Sequence, residues 1–498
     1  MELMNTFLQT SVGLILFLIV FLIVSVIVMY ISDITQTKRA IRRNYPVVGR
    51  FRYFFEYMGE FFRQYFFSMD REEMPFNRTQ RSWCYRAAKN IDTTVAFGSS
   101  RDLQITGTVL FTNCPYPTLK EDAVEPEVVT IGQDCRTPYK TASLFNISGM
   151  SYGALSKPAV RALSKGAAMA GCWMNTGEGG LFDHHLSGNA DLVFQIGTAK
   201  NGVRDTEGNL SAEKLREIAA HEQVRMFEIK LSQGAKPGKG GIVPGAKITA
   251  EIAAVRGIEV GKDAISPNRH ADIRNDQELL DVIQHIREVT GKPVGFKAVV
   301  GDEGWLDSLF TKIRKRGVDS APDFITVDGA EGGTGAAPLP LIDDMGMPLR
   351  ESLPMVVDKL NTYGLRGRVK VIASGKLITP ADVAWALCAG ADFITSARGF
   401  MFALGCIQAL QCNKNTCPTG IATHDKKLQR GLVPADKAVR VFNYANNMVH
   451  EVGMIAHACG VKAPRQFQRH HARIVMPSGY SKPLNELFPE VVPIKKPT

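Results

Sequence analysis

The sequence predicts an α/β chain, a (β/α)8 barrel behind an N-terminal transmembrane helix, and three observations carry that prediction. Short apolar runs lead straight into glycine turns: 324–328 (FITVD) into Gly329, 369–374 (VKVIAS) into Gly375, and 393–396 (FITS) into Arg398-Gly399. Between such runs lie stretches with helical spacing, as at 276–290, where Leu279, Leu280, Ile283 and Ile286 share one face. Alternating strand, loop and helix units imply a parallel sheet with its chemistry in the loops after the strands. Finally, residues 12–31 are twenty consecutive uncharged positions rich in Leu, Ile, Val and Phe. At about 1.5 Å per residue they match the roughly 30 Å hydrocarbon layer of a bilayer.

Taken in order, residues 1–32 read as the anchor. A cleaved signal peptide would want a basic start, a shorter apolar run and small residues at its end, whereas Glu2 is the only charge before this run and bulky residues follow it. Lys38, Arg39, Arg42, Arg43, Arg50 and Arg52 come next, which places the C-terminal side in the cytoplasm at the inner membrane, a single-pass arrangement. Residues 33–140 form a basic, aromatic lead-in. Over 33–101 there are thirteen Lys/Arg against seven Asp/Glu, interleaved with Phe51, Tyr53, Phe54, Phe55, Tyr57, Phe61, Phe62, Tyr65, Phe66 and Phe67. That mixture suits a helix at headgroup level or one packed on the catalytic domain. Nucleic acid is not the expected partner, since the same charges already have anionic lipid to meet.

Residues 141–430 carry the barrel, for which about 250 residues suffice. Strand-like pieces occur at 144–147, 172–175, 226–229 and 294–299, with a helix expected over 158–170. Thr379, Pro380 and Asp382 make a helix start: an N-cap, a proline at the first helical position and an acid at the third. Residues 431–498 read as a short, mainly helical tail. The nine cysteines are scattered except for Cys406, Cys412 and Cys417, which argues against a disulfide framework.

The runs SGMSYGALS (148–156), NTGEGG (175–180), IKLSQGAKPGKGG (229–241), VDGAEGGTGAAPL (327–339), ASGKL (373–377) and GCIQALQCNKNTCPTGIAT (405–423) stand in the order found in the FMN-binding synthase domain of glutamate synthase, which the chain resembles over about 140–430. The resemblance implies that Met150 and Ser151 touch the flavin ring and that Gly332, Gly333, Gly375 and Gly399 cradle its phosphate. It also implies that Glu178 binds an imine or moves a proton, and that Lys297 faces the flavin or a substrate carboxylate. A surface salt bridge for Lys297 and a helix-capping or loop carboxylate for Glu178 are the plain structural alternatives. For Cys406, Cys412 and Cys417 the resemblance implies a three-iron, four-sulfur (3Fe-4S) cluster. Zinc would want a fourth ligand, with His424 the nearby candidate, and unliganded thiols are the remaining reading.

The implied activity is reductive amination of 2-oxoglutarate, through 2-iminoglutarate, to glutamate. The same cofactors acting on another oxo acid, amino acid or alkylamine, or an electron-relay subunit with no substrate, are the competing expectations. The family's glutaminase domain, headed by a nucleophilic cysteine, and its C-terminal β-helix have no counterpart here. Nor does a dinucleotide fingerprint occur between a strand and a helix. The electron donor, a ferredoxin or a reductase subunit, is therefore expected to be separate, and a partner is expected to supply the amine.

Overall fold

The computed structural model describes residues 1–491. The chain divides into two units, residues 1–79 and residues from 80 onward. In the first, the helix Glu2–Thr35 runs through the predicted apolar stretch. Its Met4–Thr35 portion contains an 18-residue stretch of mean hydropathy 3.4 and is long and apolar enough to cross a membrane. The short helix Ala40–Asn44 and the helix Gly49–Phe62 follow.

In the second unit eight parallel strands close into a barrel: β1 Phe145–Ile147, β2 Met174–Asn175, β3 Leu192–Ile196, β4 Val224–Lys230, β5 Val294–Ala298, β6 Phe324–Asp328, β7 Lys370–Ser374 and β8 Phe393–Ser396. Each pairs with its neighbour in sequence, and β8 returns to β1 through Ser396 opposite Ile147. Seven follow the predicted runs. The eighth, β3, was not anticipated, although its LVFQI sits between Gly188-Asn189 and Gly197 as a buried strand should. Every described β3 side chain is buried, consistent with a strand covered on both faces.

Helix termini follow local chemistry. Ser156 and Asn275 cap Lys157–Ala170 and Asp276–Thr290, each accepting a backbone N–H, and Gly171 and Gly291 end those helices in the left-handed region. Thr379 and Asp382 form the expected reciprocal capping box. Helix Pro434–Ala458 packs on Lys157–Ala170 so closely that a Cβ on Gly166 would lie 2.4 Å from Val441. The tail also contains strands that the sequence did not suggest: Ala472–Val475 pairs antiparallel with Val109–Phe111 and with Ser481–Pro483.

The lead-in contributes a second antiparallel pair, Val129–Ile131 with Tyr139–Thr141. Its Ile131 and Tyr139 join Trp173, Phe324 and Phe393 in one buried cluster and plug the barrel floor. The floor is locked by Asp323, fully buried just before β6, which accepts from the Val294 backbone N–H at 2.7 Å and from Arg287 Nε at 3.0 Å, and pairs with Arg368 at 2.7 Å. The opposite end of the barrel, where the strands run out, is left for chemistry.

Candidate active site at the barrel mouth

Three polar groupings converge at the C-terminal ends of the strands. The deepest centres on Glu228, buried within β4. Its carboxylate accepts from Asn175 Nδ2 at 2.9 Å, Gln195 Nε2 at 2.6 Å and Thr326 Oγ1 at 2.6 Å, so β2, β3 and β6 all contribute to one acceptor. A small cavity lies against it, lined among others by Ser148, Glu228, Lys297, Thr326 and Thr395. Sequence reading passed over Glu228; a lone acid between Phe227 and Ile229 in a buried run was the available signal.

The second grouping contains Glu178. Lys230 at the end of β4 reaches its carboxylate at 3.0 Å, and Asn201 donates to its backbone carbonyl at 3.0 Å. Burial pushes the Glu178 carboxyl up, but Lys230, Lys236 and Arg256 together outweigh burial and hold it below the usual range. The turn holding Glu178 is crowded: a Cβ on Gly177 would lie 2.4 Å from the Ser151 backbone N, and one on Gly197 would lie 2.5 Å from Glu178 Cβ. Met150 and Ser151, both buried, therefore share a backbone-on-backbone contact with the Glu178 loop.

Lys297 forms the third grouping. It is buried and stands next to Lys230 in register, with its ammonium 3.2 Å from Asp328 at the end of β6. Asp328 also accepts from the Gly234 N–H at 2.9 Å. Burial raises the Asp328 carboxyl, whereas Lys297 and the Gly234 N–H lower it further, so it stays ionised. Lys297 is thus a paired, oriented cation inside the barrel and not a surface one.

The four glycines are bare for different reasons. A Cβ on Gly332 would crowd Gly329 O at 2.9 Å and Gly234 Cα at 3.1 Å, where the loops after β4 and β6 touch. Gly375 has a φ of 135°, which side-chain-bearing residues rarely adopt. The space beside Gly333 is filled by the Arg398 guanidinium and that beside Gly399 by the Tyr444 hydroxyl, 2.1 Å from where a Cβ would stand. Arg398 also donates to Glu331 O at 3.3 Å, and the Lys376 ammonium is drawn down first by burial and then by the nearby Arg398 charge. Two cations among bare backbone turns are what a phosphate requires, and neither was singled out from sequence.

The cysteine loop docks on the loop after β1. Lys247 Nζ donates to Cys412 O at 2.7 Å and to Ala154 O at 3.0 Å, and His424 Nε2 lies 3.1 Å from Gly153 O. Among the described residues no three His, Cys, Asp or Glu side chains gather closely enough to hold a metal ion. The thiols still sense one another. Burial takes Cys406 up to about 12, with Cys412 and Cys417 adding to the rise. Burial also raises Cys417, but the Thr419 hydroxyl and the N–H groups of Thr419, Ile421 and Ala422 reverse this and hold it below the usual thiol range. The donors around Cys417 thus favour its thiolate, whereas burial raises Cys412 as it does Cys406, with Lys247 drawing Cys412 back down.

Residues 110–462 match the conserved region in glutamate synthase. The chain is 41% identical over 482 residues to the glutamate synthase large subunit-like protein YerD of Bacillus subtilis, covering 89% of this chain and 91% of that protein. It is 35% identical to the archaeal-type glutamate synthase (NADPH) of Thermotoga maritima, over 64% of this chain but only 59% of that relative. A glutamate synthase large subunit-like protein of Rhizobium meliloti is 32% identical over 63% of this chain and 71% of its own length. With the barrel, the mouth and these matches together, the chain belongs to the glutamate synthase family.

Proposed function

We propose that the chain is an FMN- and iron–sulfur-dependent oxidoreductase of the glutamate synthase type, which reductively aminates 2-oxoglutarate through 2-iminoglutarate. The observation that carries this reading is the surplus of cations around one ionised acid: Lys230, Lys236 and Arg256 face Glu178. A doubly anionic oxo acid supplies the missing negative charge. Gly332, Gly375, Arg398 and Lys376 would hold the flavin phosphate, Met150 and Ser151 its ring, and Cys406, Cys412 and Cys417 a 3Fe-4S cluster. Bound there, the flavin supplies hydride chemistry and the cluster single-electron entry.

The chain's own residues do the rest. Lys230 and Lys236 bind and orient the substrate carboxylates, while Asp328 keeps the Lys297 ammonium pointed into the barrel. Glu178, held ionised, binds the imine nitrogen as its iminium and manages its proton. Electrons come from a separate donor, a ferredoxin or reductase subunit, and the amine comes as ammonium or from a supplying partner. The apolar helix Glu2–Thr35 anchors the enzyme in the cytoplasmic membrane with the catalytic unit on the cytoplasmic side.

The test uses the purified full chain under anaerobic conditions, reduced with dithionite and then given 2-oxoglutarate and ammonium. Flavin reoxidation with stoichiometric glutamate is the expected result. Reoxidation by a different oxo acid alone would move the substrate assignment, and a flavin that stays reduced with every acceptor would favour the relay subunit.

A further inference from the structure

The first unit carries a built feature that catalysis does not use. Asp33, near the end of the long apolar helix, is fully buried, and its carboxylate accepts from Arg42 Nε at 2.7 Å, Arg50 Nε at 2.8 Å and the Val47 N–H at 3.0 Å. Arg50 also donates to Met29 O at 3.4 Å, reaching back along that helix. Val47 is held at a φ of 64°, a left-handed conformation that a β-branched residue avoids unless its surroundings impose it. Gly49 completes the joint, since a Cβ there would stand 2.8 Å from Ile41 O. One acid thus clasps two arginines and a strained turn, and fixes how helix Gly49–Phe62 leaves the apolar helix.

Helix Gly49–Phe62 is strongly two-faced. At 3.6 residues per turn, Phe51, Phe54, Phe55, Met58, Phe61 and Phe62 fall on one side, and Arg52, Glu56 and Glu60 on the other. The aromatic side is uncovered, with Phe51 58% and Phe55 64% exposed. Lys38, Arg39, Arg43 and Arg52 are exposed nearby, and Arg39 sits over the Tyr53 ring at 4.5 Å.

We infer that this helix lies in the headgroup–acyl boundary of an anionic phospholipid bilayer, with its aromatic face down, and that the Asp33 clasp sets its angle to the apolar helix. The inference rests on the reading of Glu2–Thr35 as a membrane span. Continuity with that span selects the occupant: a face of rings fixed to the end of a bilayer-length apolar helix and fringed by cations meets lipid before anything else.

The test places single tryptophans in the full chain, in vesicles of phosphatidylcholine and phosphatidylglycerol brominated on their acyl chains. F51W, F55W and F62W should lose emission about twofold relative to the wild-type background, while R52W and E56W should not. Asp33→Asn should erase the difference between the two faces by releasing the joint. Equal quenching on both faces, or none at position 55 in protein that stays in the vesicles after an alkaline wash, overturns the inference while leaving the span intact. Protein stripped by the wash but still quenched at position 55 keeps the interfacial helix and removes the span. Stripping without quenching removes both.

Discussion

The two ends of the barrel handle buried charge in opposite ways. At the floor, two arginines meet two acids: Asp323, which no solvent reaches, takes Arg287, Arg368 and a backbone N–H within 3.0 Å, and Asp134 stands 3.4 Å from Arg368. At the mouth, Glu178 keeps 21% of its side chain exposed and has one close ion pair, while further cations stand around it without a matching anion. A balanced cluster contributes to holding the fold, and an unbalanced one is held by the fold until a ligand balances it.

The sharpest way to break this contrast is to empty the floor. Asp323→Ala takes the counter-ion from Arg287, leaves Arg368 only the exposed Asp134 at 3.4 Å, and strips the Val294 N–H of its acceptor; it should destabilise the protein by about 3–5 kcal/mol, seen as a lower denaturation midpoint, with turnover per folded molecule unchanged. The mirror experiment is Glu178→Gln. It should lower kcat by about 10²-fold, or ~3 kcal/mol, with little change in thermal midpoint and with flavin reduction intact.

Smaller effects sharpen the picture of the mouth. Arg398→Met should weaken FMN retention about tenfold, ~1.4 kcal/mol, read by flavin release on dilution, because the guanidinium over Gly333 is one of two cations at the proposed phosphate site. Cys412→Ser should bleach the brown absorbance of the proposed cluster while FMN stays bound; a persistent chromophore would remove Cys412 from the proposed ligand set. The smallest effect is a pH limb. Burial draws the Lys236 ammonium down to about 8, against the pull of Glu178. Below that pH the ammonium is charged and attracts an anionic oxo acid, and above it the amine is neutral. KM for the oxo acid should therefore rise, by up to about tenfold, as pH climbs through that value. Lys236→Arg, which stays charged, should remove the rise.

How much of this could be read from sequence depends on whether the signal was local. Strands such as Phe324–Asp328 and Phe393–Ser396 announce themselves because a short run led by Phe-Ile ends near a glycine turn. Leu192–Ile196 has the same character, but Gln195 interrupts its apolar run before Gly197, which weakens the local signal. Lys297 was visible as a strand-end cation, yet its partner Asp328 became visible only once β5 and β6 were in register. Glycines looked alike in sequence and turned out to differ: Gly375 is required by its backbone angle, Gly333 by Arg398 and Gly399 by Tyr444. The Glu228 network was invisible because its three donors come from three separate strands.

The pairing of Val109–Phe111 with Ala472–Val475 also bears on the order in which the molecule is made. The first of these strands leaves the ribosome early and its partner comes at the opposite end of the chain, as does helix Pro434–Ala458, which covers Lys157–Ala170. At about 5–20 residues per second, the lead-in waits tens of seconds for the strand that completes its sheet. Throughout that interval its edge is open to mispairing.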